Sequence, residues 1–283
     1  MRRQKSLLSF LFIAFLNIAT SASILPLDNK KFIAYTDEGQ GTPLILIHAF
    51  PTDKQLWKPQ TELKQSFRVI SLDLWGFGQS SPADGNAISM ADYAAEVKTL
   101  LDHLQIKKAI IGGESMGGYI ALAFLKLYPQ AVEGLVLSNT QAIADSDEAK
   151  INREKIAQEV LEHGTEKLIN GFIENALSPN ASNDMRAQLL DILQSQKPTA
   201  LASALRGMSL RASTEDLLAH STLPILIITS EEDKVISPQQ SEAMHQLAKN
   251  SKLVILANAG HLSSFEQPEQ WNQAVKEMFF LPH

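Results

Sequence analysis

Seven short apolar runs, rich in β-branched residues, recur along the 283-residue chain, and helical sequence separates most of them. The runs are Lys31–Thr36, Leu44–His48, Arg68–Asp73, Lys108–Gly113, Gly134–Asn139, Pro224–Ser230 and Lys252–Ala257. Helical patterns fall near Lys54–Gln65, Met90–Leu104, Ser115–Tyr128, Pro238–Lys249 and Pro268–Phe280. A strand buried on one face alternates apolar with polar residues, whereas these runs are apolar throughout. They predict an α/β protein with a mostly parallel central sheet and helices on both faces. The length fits one large α/β domain or two small ones.

One interval breaks the alternation. From Gln141 to about Ala219 there is no strand candidate, only Ala-, Glu-, Lys-, Gln- and Leu-rich helical sequence punctuated by Gly164, Pro179 and Pro198. This predicts a helical cap over residues 141–219, inserted between core segments 23–140 and 220–283. Its expected seat is the carboxyl edge of the sheet, where ligands bind in open α/β folds.

The first 22 residues are of another kind. Arg2, Arg3 and Lys5 precede an apolar stretch from Leu7 to Ala19, and small residues follow through Ser23. Cationic start, apolar middle and small-residue end together read as a signal for export, to the periplasm or beyond the cell. An uncleaved membrane anchor is the rival reading. Asn17, Thr20 and Ser21 cut the apolar run short of the ~20 residues that a span requires. Removing residues 1–22 takes away three cations and no acid, moving the formal charge from −6 to −9. An acidic chain with no basic stripe has no electrostatic footprint for nucleic acid. With no cysteine in the chain, disulfides, thiolate catalysis and cysteine metal sites are excluded.

The run Lys108–Gly113 leads into Gly113-Glu114-Ser115-Met116-Gly117, and a long apolar helical stretch follows. A serine bracketed by glycines between a buried strand and a helix has the form of a nucleophile elbow. Projecting a hydroxyl from the top of a sheet demands a sharp turn that strains the serine backbone. Gly113 and Gly117 remove side chains that would collide across it. The helix that starts there aims free N–H groups at the place where an oxyanion would form. A glycine-rich turn with an idle serine has the same local sequence, so the partners decide.

A serine hydroxyl needs a base to take its proton, and the base needs a third group to orient it. Behind an elbow serine the expected chain order is acid, then histidine. Pro224–Ser230 runs into Glu231-Glu232-Asp233, which places three acids just past a strand. Asp233 is the best placed, and Glu231 or Glu232 is the weaker alternative. After Lys252–Ala257 comes Asn258-Ala259-Gly260-His261. Of the seven histidines only His261 occupies a late strand-exit loop. His103, His163 and His245 lie in helical patterns, with solvent-facing positions expected. The oxyanion donors expected are the backbone N–H groups of Met116 and of Phe50 in His48-Ala49-Phe50-Pro51, with His48 packing that loop. Phe50, Met116 and Leu262 are the candidate substrate contacts. Phe172, Leu177, Met185 and Met208 are apolar candidates to line a pocket between the insertion and the sheet, but packing within the insertion is the reading expected for them.

These features, together with Asp73-Leu74-Trp75-Gly76-Phe77-Gly78-Gln79-Ser80, resemble the α/β-hydrolase superfamily over essentially the whole chain after residue 22. Gln141–Pro179 and Gly260-His261-Leu262-Ser263-Ser264-Phe265-Glu266-Gln267-Pro268 are similar to the subgroup of 3-oxoadipate enol-lactonase and related small esterases. The resemblance implies a serine hydrolase that cleaves small to medium carboxylic esters or lactones through an acyl-enzyme on Ser115, with no metal and no cofactor. A serine rather than an aspartate at 115 sets aside dehalogenase and epoxide-hydrolase chemistry. The export signal is unusual for an enol-lactonase and points toward an exported carboxylesterase. A perhydrolase or thioesterase would share these residues, and so would a ligand-binding protein on a hydrolase shell. There are two departures from the family pattern. Ala49 stands where a glycine is usual and would be strained at positive φ, and Ser230 stands where the acid loop usually opens with glycine.

Overall fold

Consecutive residues of one strand, Leu44, Ile45, Leu46 and Ile47, all have no solvent exposure, and they divide between two separate apolar clusters. Successive side chains of a strand point to opposite faces, so both faces of the sheet are covered, as the unbroken apolar runs predict. The computed structural model describes residues 22–280. The export signal expected over residues 1–22 therefore lies outside the described residues but for Ala22.

The chain enters through β1 (Ser23–Pro26), β2 (Phe32–Glu38), β3 (Pro43–Ile47) and β4 (Arg68–Leu72). Helix α1 (Met90–His103), β5 (Ala109–Glu114), α2 (Met116–Leu127) and β6 (Val132–Ser138) follow. Five helices come next: α3 (Asp147–His163), α4 (Glu166–Ala176), α5 (Asn183–Gln194), α6 (Pro198–Ser209) and α7 (Glu215–His220). The chain closes with β7 (Ile225–Ser230), α8 (Pro238–Leu247), β8 (Ser251–Leu256), α9 (Ser263–Glu266) and α10 (Pro268–Phe279). The eight strands form one sheet in the order β1-β2-β4-β3-β5-β6-β7-β8. β2 pairs antiparallel with β1 and β4, and every other pairing is parallel.

Three elements depart from expectation. β1 has no counterpart among the predicted strands: it is a four-residue edge strand in which only Leu25 is buried, too short to show a period. The segment Lys54–Gln65 is a 3₁₀ helix rather than an α-helix. Pro59 sits inside it and has no N–H to donate, which interrupts the α-helical ladder. The four-residue α9 is also unanticipated. By contrast, α1 begins where the sequence puts it: Ser89 and Asp92 cap each other's backbone N–H in a reciprocal box, a strong start signal.

The five helices of residues 141–219 are tied to loops at the carboxyl edge. Gln196, after α5, donates from Nε2 to Asp53 Oδ2 at 3.1 Å and accepts from the Gly78 N–H at 3.1 Å. The Ile88 N–H donates to the Ser203 carbonyl of α6 at 3.2 Å, and the Leu262 N–H donates to the Ala176 carbonyl that ends α4 at 3.2 Å. Phe50, Ser115, Asn139, Asp233 and His261 all sit just beyond the carboxyl ends of parallel strands, on the same edge of the sheet.

Candidate active site

Ser115 joins β5 to α2 with φ 55° and ψ −115°, a conformation that non-glycine residues rarely adopt and that is held only by its surroundings. A Cβ on Gly113 would lie 2.1 Å from the Gly117 carbonyl, and one on Gly117 would lie 2.1 Å from the Ile47 carbonyl oxygen. Both glycines are therefore required by close backbone approach. The Ser115 N–H donates to the Ser138 carbonyl of β6 at 2.9 Å, and the Ser115 carbonyl accepts the Thr140 hydroxyl at 2.8 Å.

The Ser115 hydroxyl meets the imidazole of His261: Nε2 to Oγ is 2.8 Å. On its other side the ring faces the Asp233 carboxylate, with Nδ1 2.9 Å from Oδ2 and 3.1 Å from Oδ1. A carboxylate can only accept, so Nδ1 carries the proton and Nε2 is left to accept from the serine. All three residues are buried. Glu231 is exposed, and its neighbour Glu232 makes no contact with the ring, so of the three acids Asp233 alone reaches it.

Asp233 is well supplied with donors. Oδ1 accepts from the Val235 and Ile236 N–H groups at 2.8 and 2.9 Å, and Oδ2 accepts from Asn139 Nδ2 at 2.9 Å. Burial alone would raise its pKa. The imidazole of His261, the Asn139 amide and the Ile236 N–H outweigh burial and hold the carboxyl below its ordinary value.

The loop after β3 resolves the question of Ala49. Among the described residues it is not one of the positive-φ positions, so alanine carries no strain there. Its carbonyl accepts from the Thr52 N–H and hydroxyl at 2.9 Å each. His48 is fully buried, donates from Nδ1 to the Ala49 carbonyl at 3.0 Å and accepts the Leu74 N–H on Nε2 at 3.1 Å. Burial lowers its pKa, so it is a neutral packing residue. The N–H groups of Phe50 and Met116 donate to no protein acceptor among the described residues. Leu262 is fully buried beneath the end of α4. Of the residues expected to pack within the insertion, Phe172 does not do so alone. Its ring stands edge-on to the His261 imidazole, 6.4 Å between centroids, which brings α4 over the site. His103 and His163 are exposed, whereas His245 is half-buried against the Ser251 hydroxyl at 2.8 Å.

Several polar residues beneath the site escape sequence reasoning. Glu114, fully buried, accepts the Ser264 hydroxyl on Oε2 at 2.5 Å and the Ser264 N–H on Oε1 at 3.2 Å. The Ser138 hydroxyl also lies within donating distance of Oε1, at 3.3 Å. Burial outweighs these donors and pushes its pKa up to about 7. A charged residue ending an otherwise apolar strand, just before the elbow serine, is the one signal that could have drawn attention to it. Glu266 accepts the Gly260 N–H on Oε1 at 2.7 Å and the Ser178 N–H on Oε2 at 2.9 Å. Ser230, the departure from glycine, donates to the Gly260 carbonyl. No cluster of three or more His, Asp or Glu side chains arranged to hold a metal occurs among the described residues, and none of their helices is long and apolar enough to cross a membrane.

The mostly parallel sheet with helices on both faces agrees with what comparison with known proteins finds. Residues 42–268 match the α/β hydrolase fold family, and the chain belongs to that family. A thermophilic esterase from Thermogutta terrifontis, solved with malate bound, superposes with a TM-score of 0.86 at 33% identity, covering 91% of this chain and 97% of that one. Over 235 residues the chain is 29% identical to 3-oxoadipate enol-lactonase 1 of Acinetobacter baylyi, covering 81% of this chain and 85% of the relative. Over 258 residues it is 28% identical to (E)-2-((N-methylformamido)methylene)succinate hydrolase of the same species, covering 89% and 95%.

Proposed function

We propose that the protein is a serine hydrolase of small to medium carboxylic esters or lactones, acting through an acyl-enzyme on Ser115. The observation that carries this reading is the unbroken relay from Ser115 Oγ to His261 Nε2 at 2.8 Å and from Nδ1 to Asp233 at 2.9 Å. Such a relay makes a hydroxyl nucleophilic at neutral pH. In this mechanism Ser115 Oγ attacks the carbonyl carbon as its proton passes to His261 Nε2, and Asp233 stabilises the imidazolium. The N–H groups of Met116 and Phe50 hold the oxyanion, the Met116 group at the positive end of α2. His261 returns the proton to the leaving alkoxide. A water molecule, deprotonated by the same nitrogen, then releases the acid and restores Ser115.

Two relatives named as an esterase and an enol-lactonase support the choice of ester and lactone substrates. The test is incubation of purified protein with a fluorophosphonate and with a panel of p-nitrophenyl esters and lactones of increasing acyl length, beside Ser115→Ala. Labelling at Ser115 and turnover absent from the variant are expected. An unlabelled protein with turnover equal to that of the variant would favour the ligand-binding reading. We read residues 1–22 as an export signal, and a recovered protein whose N-terminus falls within Ala19–Ser23 is the result expected.

A further inference from the structure

Two neighbours in the chain, Asn139 and Thr140, leave β6 and turn in different directions. Asn139 sends its amide toward the Asp233 carboxylate, with Nδ2 2.9 Å from Oδ2. Thr140 sends its hydroxyl to the Ser115 carbonyl at 2.8 Å. We propose that this pair is the positioning device of the relay, Asn139 fixing the acid and Thr140 fixing the nucleophile's strained backbone. The inference rests on the triad reading above and adds two residues that touch neither substrate nor the reacting atoms.

The amide of Asn139 has one workable orientation. Its Oδ1 accepts the Ser263 hydroxyl at 2.5 Å, and its Nδ2 also donates to Ser230 Oγ at 2.8 Å. The Ser230 hydroxyl is committed to the Gly260 carbonyl, so its oxygen is free to accept. Turning the amide over would set Oδ1 against the Asp233 carboxylate, oxygen to oxygen. The backbone is fixed too. Asn139 has φ 45°, a left-handed conformation that asparagine tolerates better than most residues. Its N–H donates to the Ile228 carbonyl of β7 at 2.8 Å, and β7 is the strand that delivers Asp233. The amide therefore spans from β6 to the acid loop on β7 and to Gly260 beside His261, and it is fully buried, where a hydrogen bond is not diluted by water.

Thr140 does the equivalent for Ser115. With φ at 55° the serine relaxes unless its peptide planes are held. The N–H is held by Ser138 and the carbonyl by Thr140, both from the β6 exit, with the Gly118 N–H of α2 sharing the carbonyl at 2.9 Å. One short stretch, residues 138–140, thus sets the nucleophile and the acid with respect to each other.

The experiment compares Asn139→Leu, Thr140→Val and Thr140→Ser with the wild-type enzyme, after melting temperatures confirm that each is folded. Asn139→Leu is expected to lower kcat about tenfold to a hundredfold, the range for losing a hydrogen bond to a charged group, with KM nearly unchanged. The downfield proton resonance of His261 Nδ1 should move in the same variant, since Asp233 then has one donor fewer. Thr140→Val should lower kcat about tenfold, and Thr140→Ser, which keeps the hydroxyl, should restore most of it. Should Asn139→Leu not fold, Asn139→Ser replaces it, with a hydroxyl too short to reach Asp233. Folded variants with wild-type kcat and an unmoved resonance, or Thr140→Ser no better than Thr140→Val, overturn the proposal. Wild-type labelling at Ser115 separates the two failures: without it the triad reading itself falls, and with it only the positioning role does.

Discussion

Glu266 accepts the Gly260 N–H with one carboxylate oxygen, at 2.7 Å, and the Ser178 N–H with the other, at 2.9 Å. Gly260 precedes His261, and Ser178 lies just past the end of α4, so one buried side chain ties the histidine loop to the helical insertion. Burial raises its pKa, and the two N–H donors work against that rise. Glu266→Gln keeps one acceptor and turns an NH₂ toward the other N–H. Losing one charge-assisted bond costs about 2 kcal/mol, which lowers the melting temperature by about 5 °C in a chain of this size. Calorimetry reads the stability loss and ester kinetics read the displaced imidazole as a fall in kcat. A variant that melts with the wild type would show that the two loops hold together without Glu266.

Glu114 makes a prediction in pH. Its ordinary value is near 4.5 and burial pushes it to about 7 in the folded protein. Between these values the unfolded chain has released the proton while the folded chain still holds it, so stability falls as pH rises through this window. The stability is fully present below about pH 4.5 and lost by the time the pH passes about 7, a change of about 3 kcal/mol. Glu114→Gln has no proton to lose. Its melting temperature should run closer to level from pH 5 to pH 8, and it should exceed the wild type most at pH 8. Parallel melting curves for the two proteins would show that Glu114 does not titrate in that window.

The strand-exit positions of Ser115 and Asp233 are legible in the sequence because each follows a run, β5 or β7, that is buried at every residue. His261 follows the edge strand β8, where only Leu256 is buried, and is legible from its place in chain order behind the other two. Burial on both faces writes itself into every residue of such a run. The exposed edge strand β1 leaves no comparable mark, since only Leu25 is buried. Asn139 is invisible for another reason. Its partners Asp233 and Ser263 are 94 and 124 residues away, and nothing in a polar residue at a strand end names a partner at that distance. Phe172 reads as one more apolar residue of an amphipathic helix, and helical periodicity gives its face but not what the face meets. Ala49 shows the converse: a residue that breaks the expected pattern fits without strain, because the loop keeps φ negative there.

Gly117 is the position where the fold leaves the least freedom. An added Cβ would lie 2.1 Å from the Ile47 carbonyl oxygen and 2.8 Å from its carbon, and both are backbone atoms of a central strand that cannot rotate away. Gly117→Ala must therefore push α2 off β3 and move Ser115 with it. A destabilisation of about 3 kcal/mol or more is expected, with loss of fluorophosphonate labelling in whatever protein remains folded. Urea unfolding monitored beside labelling checks both. An alanine variant with wild-type midpoint and labelling rate would mean the elbow is looser than these distances allow.

Phe172 offers a test of how the insertion limits the substrate. Its ring stands edge-on to His261 at 6.4 Å between centroids, and it arrives from α4, whose last carbonyl is bonded to the Leu262 N–H. A bulky ring in that position occupies space beside the imidazole that a longer acyl or alcohol chain would need. Phe172 is only half-buried, so truncation removes bulk at the rim of the site rather than from the sheet core. Phe172→Ala is expected to raise kcat/KM for long-chain esters relative to acetate by about tenfold, one or two methylenes' worth of newly accommodated apolar contact. The relay itself is untouched, so kcat for acetate should stay within a few-fold of the wild type. The acyl-chain-length series measured on both proteins decides it: a selectivity profile that does not move with the ring removed would place the size limit elsewhere in the insertion.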